Sequence, residues 1–234
     1  MAEPPDPRKA LFIFASGKKG SGKSYLCRAW WDSYPFDKLV IDPTHDIRRD
    51  LQREGQEFIT LDPDALPVRF PASHDDRQSY VTAVLCPDMG SPTAADQMDR
   101  AVGLCLRTDH PTMLWVDEFG TLTTAHKTPP NTRRALHHGR HHDLTFLIAC
   151  PRPKDIDPLA ISQADLAYTF RTPNVYDRER IANEIGWDVR EFDEVNRQLT
   201  GHEHTLYDGR DDTLTIMPPL PPRKRAQNAY APVA

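Results

Sequence analysis

The stretch "LFIFASGKKGSGKSY" (residues 11–25) constrains the fold more than any other part of the chain. It contains Gly17, four further residues, and then Gly22, Lys23 and Ser24, which is a complete phosphate-binding loop (P-loop) pattern. Such a loop must follow a strand and precede a helix, and here the apolar letters LFIFA come first. Its glycines let backbone N–H groups curl around a phosphate, and the helix N-terminus adds partial positive charge. The sequence therefore predicts a nucleotide site on a strand, loop and helix unit.

The polar residues of this loop have defined chemical roles in nucleotide binding. Lys23 is expected to reach the β- and γ-phosphates, and the Ser24 hydroxyl is expected to ligate Mg²⁺. We therefore expect ATP and Mg²⁺ as cofactors. The residues expected to bind the nucleotide are Gly17, Lys18, Lys19, Gly20, Ser21, Gly22, Lys23, Ser24 and Tyr25.

A second acidic element follows in "TMLWVDEFG" (residues 112–120), an apolar strand pattern that ends in Asp117 and Glu118. We expect Asp117 to lie at the carboxyl end of a parallel strand that neighbours the P-loop strand, and to hold Mg²⁺ through water. Glu118 is then placed to orient and deprotonate an attacking water, which hydrolysis requires and a phosphate-transferring kinase avoids. The two motifs together predict an ATPase with Lys23, Asp117 and Glu118 as catalytic residues.

Short apolar runs alternate with helical patterns over residues 10–217, which predicts one α/β domain with a mainly parallel sheet. Proline clusters mark its edges, so residues 1–9 and 218–234 are predicted to be tails, the second Pro-rich and basic. Residues 204–216 are predicted to form a short hairpin. The predicted strands are Ala10 to Ala15, Lys38 to Ile41, Val81 to Cys86, Met113 to Val116, Leu144 to Ala149 and Leu166 to Phe170, and the predicted helices are Lys23 to Trp31, Thr93 to Arg107, Thr132 to His138 and Arg178 to Ile185.

Charge and composition exclude several classes of protein. The formal net charge is -5, which argues against a protein that coats nucleic acid with its whole surface but still allows a local basic face. The four cysteines are far apart and form no C-x-x-C pair, as expected for buried free thiols in a reducing compartment. No apolar run approaches the roughly 20 residues that span a bilayer, and the N-terminus shows no signal-peptide pattern. We therefore expect a soluble protein without a transmembrane segment.

With both motifs in place, four further stretches resemble the FtsK-HerA superfamily of DNA-pumping ATPases. The stretch "KLVIDPTHD" (38–46) is similar to that group's second strand, which ends in an Asp-Pro turn. The stretch "RRALHHGRHHDLTFLIACPRP" (133–153) is similar to two successive parts, one with a Gly-Arg and one an apolar strand that closes on Arg-Pro. The stretch "ADLAYTFRTPNVYDRERI" (164–181) is similar to the next strand and the Asp-led helix after it. The resemblance covers about residues 10–186, and in size the chain is similar to the genome-packaging ATPases of tailless, membrane-containing phages and related viruses.

This resemblance implies a P-loop NTPase fold of the ASCE, RecA-like class. It implies a homo-oligomeric ring, usually a hexamer, with nucleotide at each subunit interface and double-stranded DNA in the central channel. The activity it implies is hydrolysis of ATP to ADP and phosphate, coupled to packaging of a viral double-stranded DNA genome into a preformed capsid. Capsid vertex proteins are then candidate partners, and the host cytoplasm or the virion is the expected location.

The resemblance also implies that an arginine from one subunit completes the site of its neighbour. Arg140 in the Gly-Arg position is the first candidate, Arg178 on the Asp-led helix is the second, and Arg152 of the Arg-Pro pair is the third. The family commonly has Gln before Arg-Pro, where its amide senses the γ-phosphate, whereas this chain has Pro151. Proline has no side-chain donor and no backbone N–H, so the sensor role is absent or falls to another residue such as Arg152.

Lys18 leaves a second interpretation open. It directly follows the first glycine of the loop, as in the deviant P-loops of the ParA and MinD partition ATPases, where that lysine crosses a dimer interface to the partner's phosphates. The Asp117-Glu118 pair and the Arg-Pro segment argue against such a dimer. The P-loop is also compatible with another small P-loop enzyme such as a kinase, and with a nucleotide-dependent scaffold that docks on DNA or a capsid without sustained turnover.

The stretch "HHGRHHD" (137–143) places four histidines around one Gly-Arg pair. Two pairs of these histidines are four residues apart, so on a continuous helix either pair could bind a metal ion. Gly139 interrupts the helix and no cysteine is close, which favours a solvated helix end or imidazoles that face DNA phosphates. Together with Arg133 and Arg134, the stretch forms one of few basic clusters that a ring would multiply into a DNA-facing surface.

Overall fold

The apolar runs of the sequence form the strands of one sheet in the computed structural model, which describes residues 9–70 and 80–222. All residues of the P-loop strand, of the strand before Asp117 and of the strand after the histidines are buried, so these strands are covered on both faces. The strands of the described residues are β1 (Phe12–Ser16), β2 (Asp37–Ile41), β3 (Ile59–Leu61), β4 (Thr82–Leu85), β5 (Thr112–Val116), β6 (Leu144–Cys150), β7 (Leu166–Phe170), β8 (His204–Asp208) and β9 (Thr213–Met217).

The strand order across the sheet is β3-β4-β2-β5-β6-β1-β7-β8-β9. The first seven strands of the chain run parallel, whereas β8 pairs antiparallel with β7, and β9 with β8. The predicted α/β class, mainly parallel sheet and C-terminal hairpin are therefore confirmed. One expectation is wrong: β5, which leads to Asp117, does not neighbour the P-loop strand β1, because β6 pairs with both and lies between them. An additional strand in this position is the feature for which the ASCE class is named.

Helices cover both faces of the sheet, as crossovers between parallel strands require. None of the helices in residues 9–70 and 80–222 is long and apolar enough to cross a membrane. Single turns of 3-10 helix follow β5 (Phe119–Thr121), α4 (Gly139–His142) and β6 (Pro153–Asp155). The α-helices of the described residues are α1 (Lys23–Ser33), α2 (Asp46–Arg53), α3 (Ala94–Cys105), α4 (Pro130–His138), α5 (Leu159–Ser162), α6 (Val175–Ile185) and α7 (Val189–Gln198).

The two faces of the sheet feed two separate apolar cores, because successive strand residues point to opposite sides. In β1, Phe12 and Phe14 pack with apolar residues of α3, α4 and α6, whereas Ile13 packs with residues of α1 and α2. On the second face, the rings of Trp31 and Trp115 lie 5.9 Å apart and tie α1 to β5. All four cysteines are free thiols, and three of them are buried as predicted, whereas Cys86 is half-buried.

A buried carboxylate fixes the start of α4. The helix begins at Pro130 after Pro129, so it has no side-chain cap from the preceding residue. Asp99 of α3 supplies the missing acceptor: it accepts hydrogen bonds from the backbone N–H groups of Asn131 and Thr132 at 3.2 and 2.7 Å. An acceptor at this position satisfies N–H groups that have no partner within the helix. The contact therefore sets the direction of the helix that leads to the four histidines.

Candidate nucleotide-binding site

The carboxyl ends of the parallel strands meet at one edge of the sheet, where a cavity of about 730 Å³ opens. The P-loop after β1, Asp117 and Glu118 after β5, Pro151 after β6 and Phe170 of β7 all line it. This edge is where open α/β sheets bind their ligands. The sheet thus brings the P-loop and the acidic pair into one site although they are far apart in sequence.

The P-loop has the backbone shape that a bound phosphate requires. Gly22, which precedes α1, has a φ of 107°, a region that residues with a Cβ rarely adopt. A Cβ on Gly17 would lie 2.6 Å from Ser21 Oγ and 2.8 Å from Phe170 Cβ, so a larger residue would displace the loop. Glycine at these two positions keeps the loop closed over the end of β1 and directs it into α1, whose N-terminus favours anions.

Most of the predicted nucleotide-binding residues face the cavity. Gly17 and Ser21 are buried and lie outside its lining, and the carbonyl of Ser21 accepts a hydrogen bond of 2.9 Å from Nδ1 of His202. The Oγ atom of Ser21 is buried without a partner among the described residues. The predicted residues that line the cavity are Lys18, Lys19, Gly20, Gly22, Lys23, Ser24, Tyr25, Asp117 and Glu118.

Asp117 is a buried carboxylate whose hydrogen bonds are incomplete. Its side chain is 6% exposed, and its Oδ1 atom has no hydrogen-bond partner among the described residues. Burial raises its pKa to about 6, while the charge of Lys23 lowers it and the charge of Glu118 raises it further. An unpaired buried carboxylate oxygen costs free energy unless a donor or a cation meets it. The arrangement therefore fits Mg²⁺, with Asp117 and Ser24 as the protein groups that would hold it.

Glu118 sits in an unusual backbone conformation at the end of β5. Its φ of 51° places it in the left-handed region, which costs on the order of 1 kcal/mol or more for a residue with a side chain. The following residue, Phe119, is fully buried and packs on Phe146 with ring centroids 6.2 Å apart. The buried ring keeps the turn in place, and the turn leaves Glu118 lining the cavity next to Asp117. Strain of this kind at a carboxylate is a feature of functional sites.

Two of the candidate arginines lie at opposite ends of β6. Arg140 precedes the strand, at the amino edge of the sheet, where it is half exposed and donates to Asp165 at 2.6 Å. Arg152 follows the strand at the carboxyl edge, is 66% exposed, and makes one long contact of 4.0 Å with Asp155. The seven residues of β6 separate the two arginines by about 20 Å. Arg152 therefore lies near the P-loop of its own chain, and Arg140 does not.

The third candidate arginine is held within its own chain. Arg178 is 7% exposed, and its guanidinium donates to Asp193 at 2.5 Å and to the carbonyls of Thr172 and Pro173 at 2.6 and 2.8 Å. These bonds connect the start of α6 to α7. Such a side chain would have to leave several charge-assisted hydrogen bonds to reach another subunit.

The four histidines lie side by side where α4 ends. The rings of His137 and His138 are 5.8 Å apart, and those of His138 and His141 are 6.2 Å apart. His142 contacts Arg134 at 3.2 Å, and partial burial together with that positive charge lowers the pKa of its imidazole. No group of three or more His, Cys, Asp or Glu in residues 9–70 and 80–222 is arranged to hold a metal ion.

Three solved structures have a similar architecture. The genome-packaging NTPase B204 of Sulfolobus turreted icosahedral virus 2 superposes with a TM-score of 0.67 over 92% of this chain and 100% of that chain, at 21% identity. VirB4 of Thermoanaerobacter pseudethanolicus has a TM-score of 0.62 over 96% of this chain and 93% of that chain, at 12% identity. EssC (ATPases 2 and 3) of Geobacillus thermodenitrificans has a TM-score of 0.55 over 96% of this chain and 41% of that chain, at 11% identity.

The fold is that of the FtsK-HerA type of P-loop ATPases. The resemblance found in the sequence is therefore confirmed at the level of the fold. No protein-family model and no curated protein sequence matches the chain. Structures of B204 were determined with AMPPCP, with AMP and with ATP-γS, so that protein binds nucleotides on this fold.

One wall of the cavity is not predicted by any sequence motif. His202, Pro219, Leu220 and Pro222 line it, although none belongs to a recognised pattern. The prolines indicate the start of a tail when only the sequence is considered, because proline clusters usually mark spacers. The signal for Thr44, which also lines the cavity, is the Asp-Pro turn at the end of the second strand.

Substitution of Asp117 with Asn should reveal the cost of the buried carboxylate. Between about pH 4 and pH 6 the folded state keeps a proton that the unfolded chain releases, because the pKa is raised from 3.8 to about 6. The folded state then binds more protons, so stability falls as the pH rises through this window, by up to about 3 kcal/mol. Asp117→Asn should therefore raise the free energy of urea unfolding at pH 7.5 without metal, and change it little at pH 4.

The matched control is Asp155→Asn, which neutralises a half-exposed carboxylate after β6. This control should change stability by less than about 0.5 kcal/mol at either pH. Mg²⁺ with ATP should stabilise the wild-type protein and not the Asp117 variant, because a ligand stabilises only the state that binds it. An equal effect of Asp117→Asn at both pH values would contradict the raised pKa of this carboxyl group.

Proposed function

We propose that this protein is an ATP-hydrolysing motor that moves double-stranded DNA, and that its role is to package a viral genome into a preformed capsid. The observation that carries the proposal is the convergence of Lys23, Asp117 and Glu118 on one cavity at the carboxyl edge of the sheet. The likeness to B204, a genome-packaging NTPase that aligns over its whole length, supports the packaging role.

The residues of the cavity supply the groups that ATP hydrolysis requires. Lys23 and the P-loop amides hold the β- and γ-phosphates. Ser24 and Asp117 would hold Mg²⁺, which would supply positive charge to the phosphate oxygens. Glu118 accepts a proton from the attacking water as the water oxygen bonds to the γ-phosphorus. The bond between that phosphorus and the oxygen of ADP breaks, which releases ADP and phosphate. A carboxylate base next to the residues that would hold the metal is placed to activate this water.

A ring, with six subunits as the family implies, accounts for the placement of Arg140. In a head-to-tail ring, the surface that meets a nucleotide site differs from the surface that bears one. Arg140 lies at the amino edge, remote from its own P-loop, and its half-exposed side chain is accessible to a neighbour. Arg178 is held inside its own chain, and Arg152 follows Pro151, a residue that lines the cavity of the same subunit, without lining it itself. Arg140 thus acts in trans, while Arg152 acts within its own subunit in the absence of a Gln at Pro151.

A segment without Asp or Glu provides a surface that DNA could bind. Residues 119–142 contain four cationic residues and five histidines but no Asp or Glu, in a chain whose formal net charge is -5. Four exposed residues of α4 form one face of the helix, while Ala135 and Leu136 are buried on the other. A surface of this kind binds phosphates without reading sequence. The four residues of this face are Arg133, Arg134, His137 and His138.

The same proposal gives the protein its partners and location. Capsid vertex proteins would receive the motor, which would act in the host cytoplasm or on the virion. The partition-type dimer is not favoured, since it depends on Lys18 alone, and the additional strand β6 between β1 and β5 supports the pumping ATPase. A scaffold differs from a motor in having no sustained turnover, so measurement of phosphate release separates the two.

Glu118→Gln should lower steady-state phosphate release by at least about 100-fold, because it removes the base that activates water. Binding of ATP with Mg²⁺, measured by calorimetry, should stay within about two-fold, since a neutral amide of equal size does not disturb the P-loop. Phosphate release should be measured with and without double-stranded DNA. Wild-type protein without turnover under either condition would support the scaffold, and an active Glu118→Gln variant would overturn the assignment of the base.

Arg140→Ala should leave ATP binding intact and abolish DNA-stimulated turnover, with a loss of about 1,000-fold, as for arginines supplied in trans. Mixing it with the Glu118→Gln variant separates a trans role from a cis role. An interface between one subunit of each kind combines an intact Glu118 with an intact Arg140 across the boundary, so mixed rings should regain activity. Two inactive variants whose mixture stays inactive would remove Arg140 from the trans role. Arg190→Ala, an exposed arginine on α7, is the control.

Replacement of Arg133 and Arg134 by alanine should weaken binding of double-stranded DNA of any sequence. Each lost phosphate contact should lower the slope of log affinity against log salt concentration by about one per bound subunit. ATP binding should be unchanged, because α4 packs on the face of the sheet opposite to α1, the helix that follows the P-loop. The double variant of Arg190 and Arg197 on α7 removes the same charge elsewhere. Equal salt slopes for both double variants would show that α4 does not contact the DNA.

A further inference from the structure

The C-terminal hairpin brings the chain back to the nucleotide-binding edge of the sheet. β8 runs antiparallel to β7, so its first residue, His204, pairs with Phe170 at the carboxyl end of β7. β9 reverses direction again, and its last residue, Met217, pairs with His204. Residues 218–222 therefore leave the sheet at the same edge as the P-loop, about 14 Å from β1 across three strand spacings.

These residues turn back over the cavity instead of leading away from it. Pro219, Leu220 and Pro222 line the cavity, and Leu220 packs on the core that lies under α1. The hydroxyl of Tyr25, in the first turn of α1, donates a 2.7 Å hydrogen bond to the carbonyl of Pro221. The segment is thus fastened directly to the helix that follows the P-loop.

The topology divides the cavity into two sides. Asp117 follows β5, which lies two strands from β1 on one side. Lys23 and Asp117 are close enough to interact through their charges, so we expect the terminal phosphates of the nucleotide on this side of the cavity. The wall on the opposite side is made by His202 before β8 and by the segment after β9. The cavity also extends over α1 towards α2, where Asp46 and Asp50 line it. Their carboxylates do not suit the apolar faces of a nucleotide base.

We propose that residues 218–222, together with His202, form the subsite for the nucleoside part of the bound nucleotide. This inference rests on the proposed ATPase function and names the part of the site that holds the base and ribose. The segment has the sequence PPLPP, so only Leu220 has a backbone N–H to offer the edge of a base. Binding therefore uses the flat faces of the base against Leu220, the proline rings and the His202 imidazole, and apolar contact dominates it.

The segment also couples base binding to the P-loop through two hydrogen bonds. Tyr25 holds the carbonyl of Pro221, and Nδ1 of His202 donates to the carbonyl of Ser21 within the loop. A base seated on this wall thus rests on residues that are bonded to the phosphate-binding residues. The wall is preformed, which lowers the ordering cost of binding.

The test compares ATP with inorganic tripolyphosphate, which has the phosphates of ATP but no nucleoside. Both are titrated with Mg²⁺ by calorimetry into the full-length protein and its variants. Leu220→Ala should weaken ATP binding at least about five-fold through lost apolar contact and leave tripolyphosphate within about two-fold. A stop codon at Pro218 should weaken ATP binding at least about ten-fold and leave tripolyphosphate binding within about two-fold. Tyr25→Phe, which removes the anchoring hydroxyl, should act in the same direction.

The matched control is Ile216→Ala, because Ile216 is a half-exposed aliphatic residue of the same hairpin outside the cavity lining. It should change the binding of neither ligand. Retained tripolyphosphate binding shows that a variant still has a folded P-loop. Equal losses of both ligands, or no loss of ATP in Leu220→Ala and in the truncated chain, would overturn the subsite. Wild-type protein that binds neither ligand would instead overturn the proposed ATPase function.

Discussion

The position of the site's chemical groups depends on the pairing of β6 with both β1 and β5. The parallel register aligns Ser16 of β1 with Cys150 of β6, and Val116 of β5 with Ile148. Asp117 therefore lies level with Ala15 of β1, one residue or about 3 Å before Ser16, the last strand residue ahead of the P-loop. Its own N–H donates to the carbonyl of Ile41 in β2, which extends the ladder to the last residue before the turn. A shift of register would separate the acidic pair from Lys23.

The same pairing makes the site costly without its ligand. The strands around Asp117 are buried on both faces, so its carboxylate lies in an apolar environment with one oxygen unpaired among the described residues. Lys23 is buried nearby and compensates part of this charge. A bound cation would complete the compensation, and its binding would then be thermodynamically linked to folding at this residue. The unfavourable buried charge and the left-handed Glu118 are both explained by a function that needs carboxylates at this place.

Local sequence patterns predict the elements with strong periodicity and miss those without it. The six predicted strands are all present, with ends displaced by no more than two residues. The pattern misses α2 because this helix has only Ile47 and Leu51 as buried residues among charged ones. It also misses α7 although a capping pattern marks that helix, since Asp188 accepts from the N–H of Glu191 three residues on. β3 has three residues, which is too short for any alternation to be recognised.

Strand order could not be predicted from local pattern, and the error about the neighbour of β1 follows from this. The P-loop and the Asp117 motif each indicate a strand end, but which strand lies between them is decided by long-range pairing and by packing of two cores. The motif residues of the candidate site were accordingly predicted, while their spacing across the sheet was not.

The role of the C-terminal prolines could not be predicted from local pattern either. Proline disrupts strand pairing, so PPLPP correctly indicates the end of β9 at Met217. That reasoning says nothing about where the chain leaves the sheet, which depends on how many strands precede it. Two antiparallel strands after β7 return the chain to the carboxyl edge, whereas one strand would have left it at the amino edge near Arg140. A segment with the composition of a spacer therefore forms a wall of the cavity, because an even number of antiparallel strands precedes it.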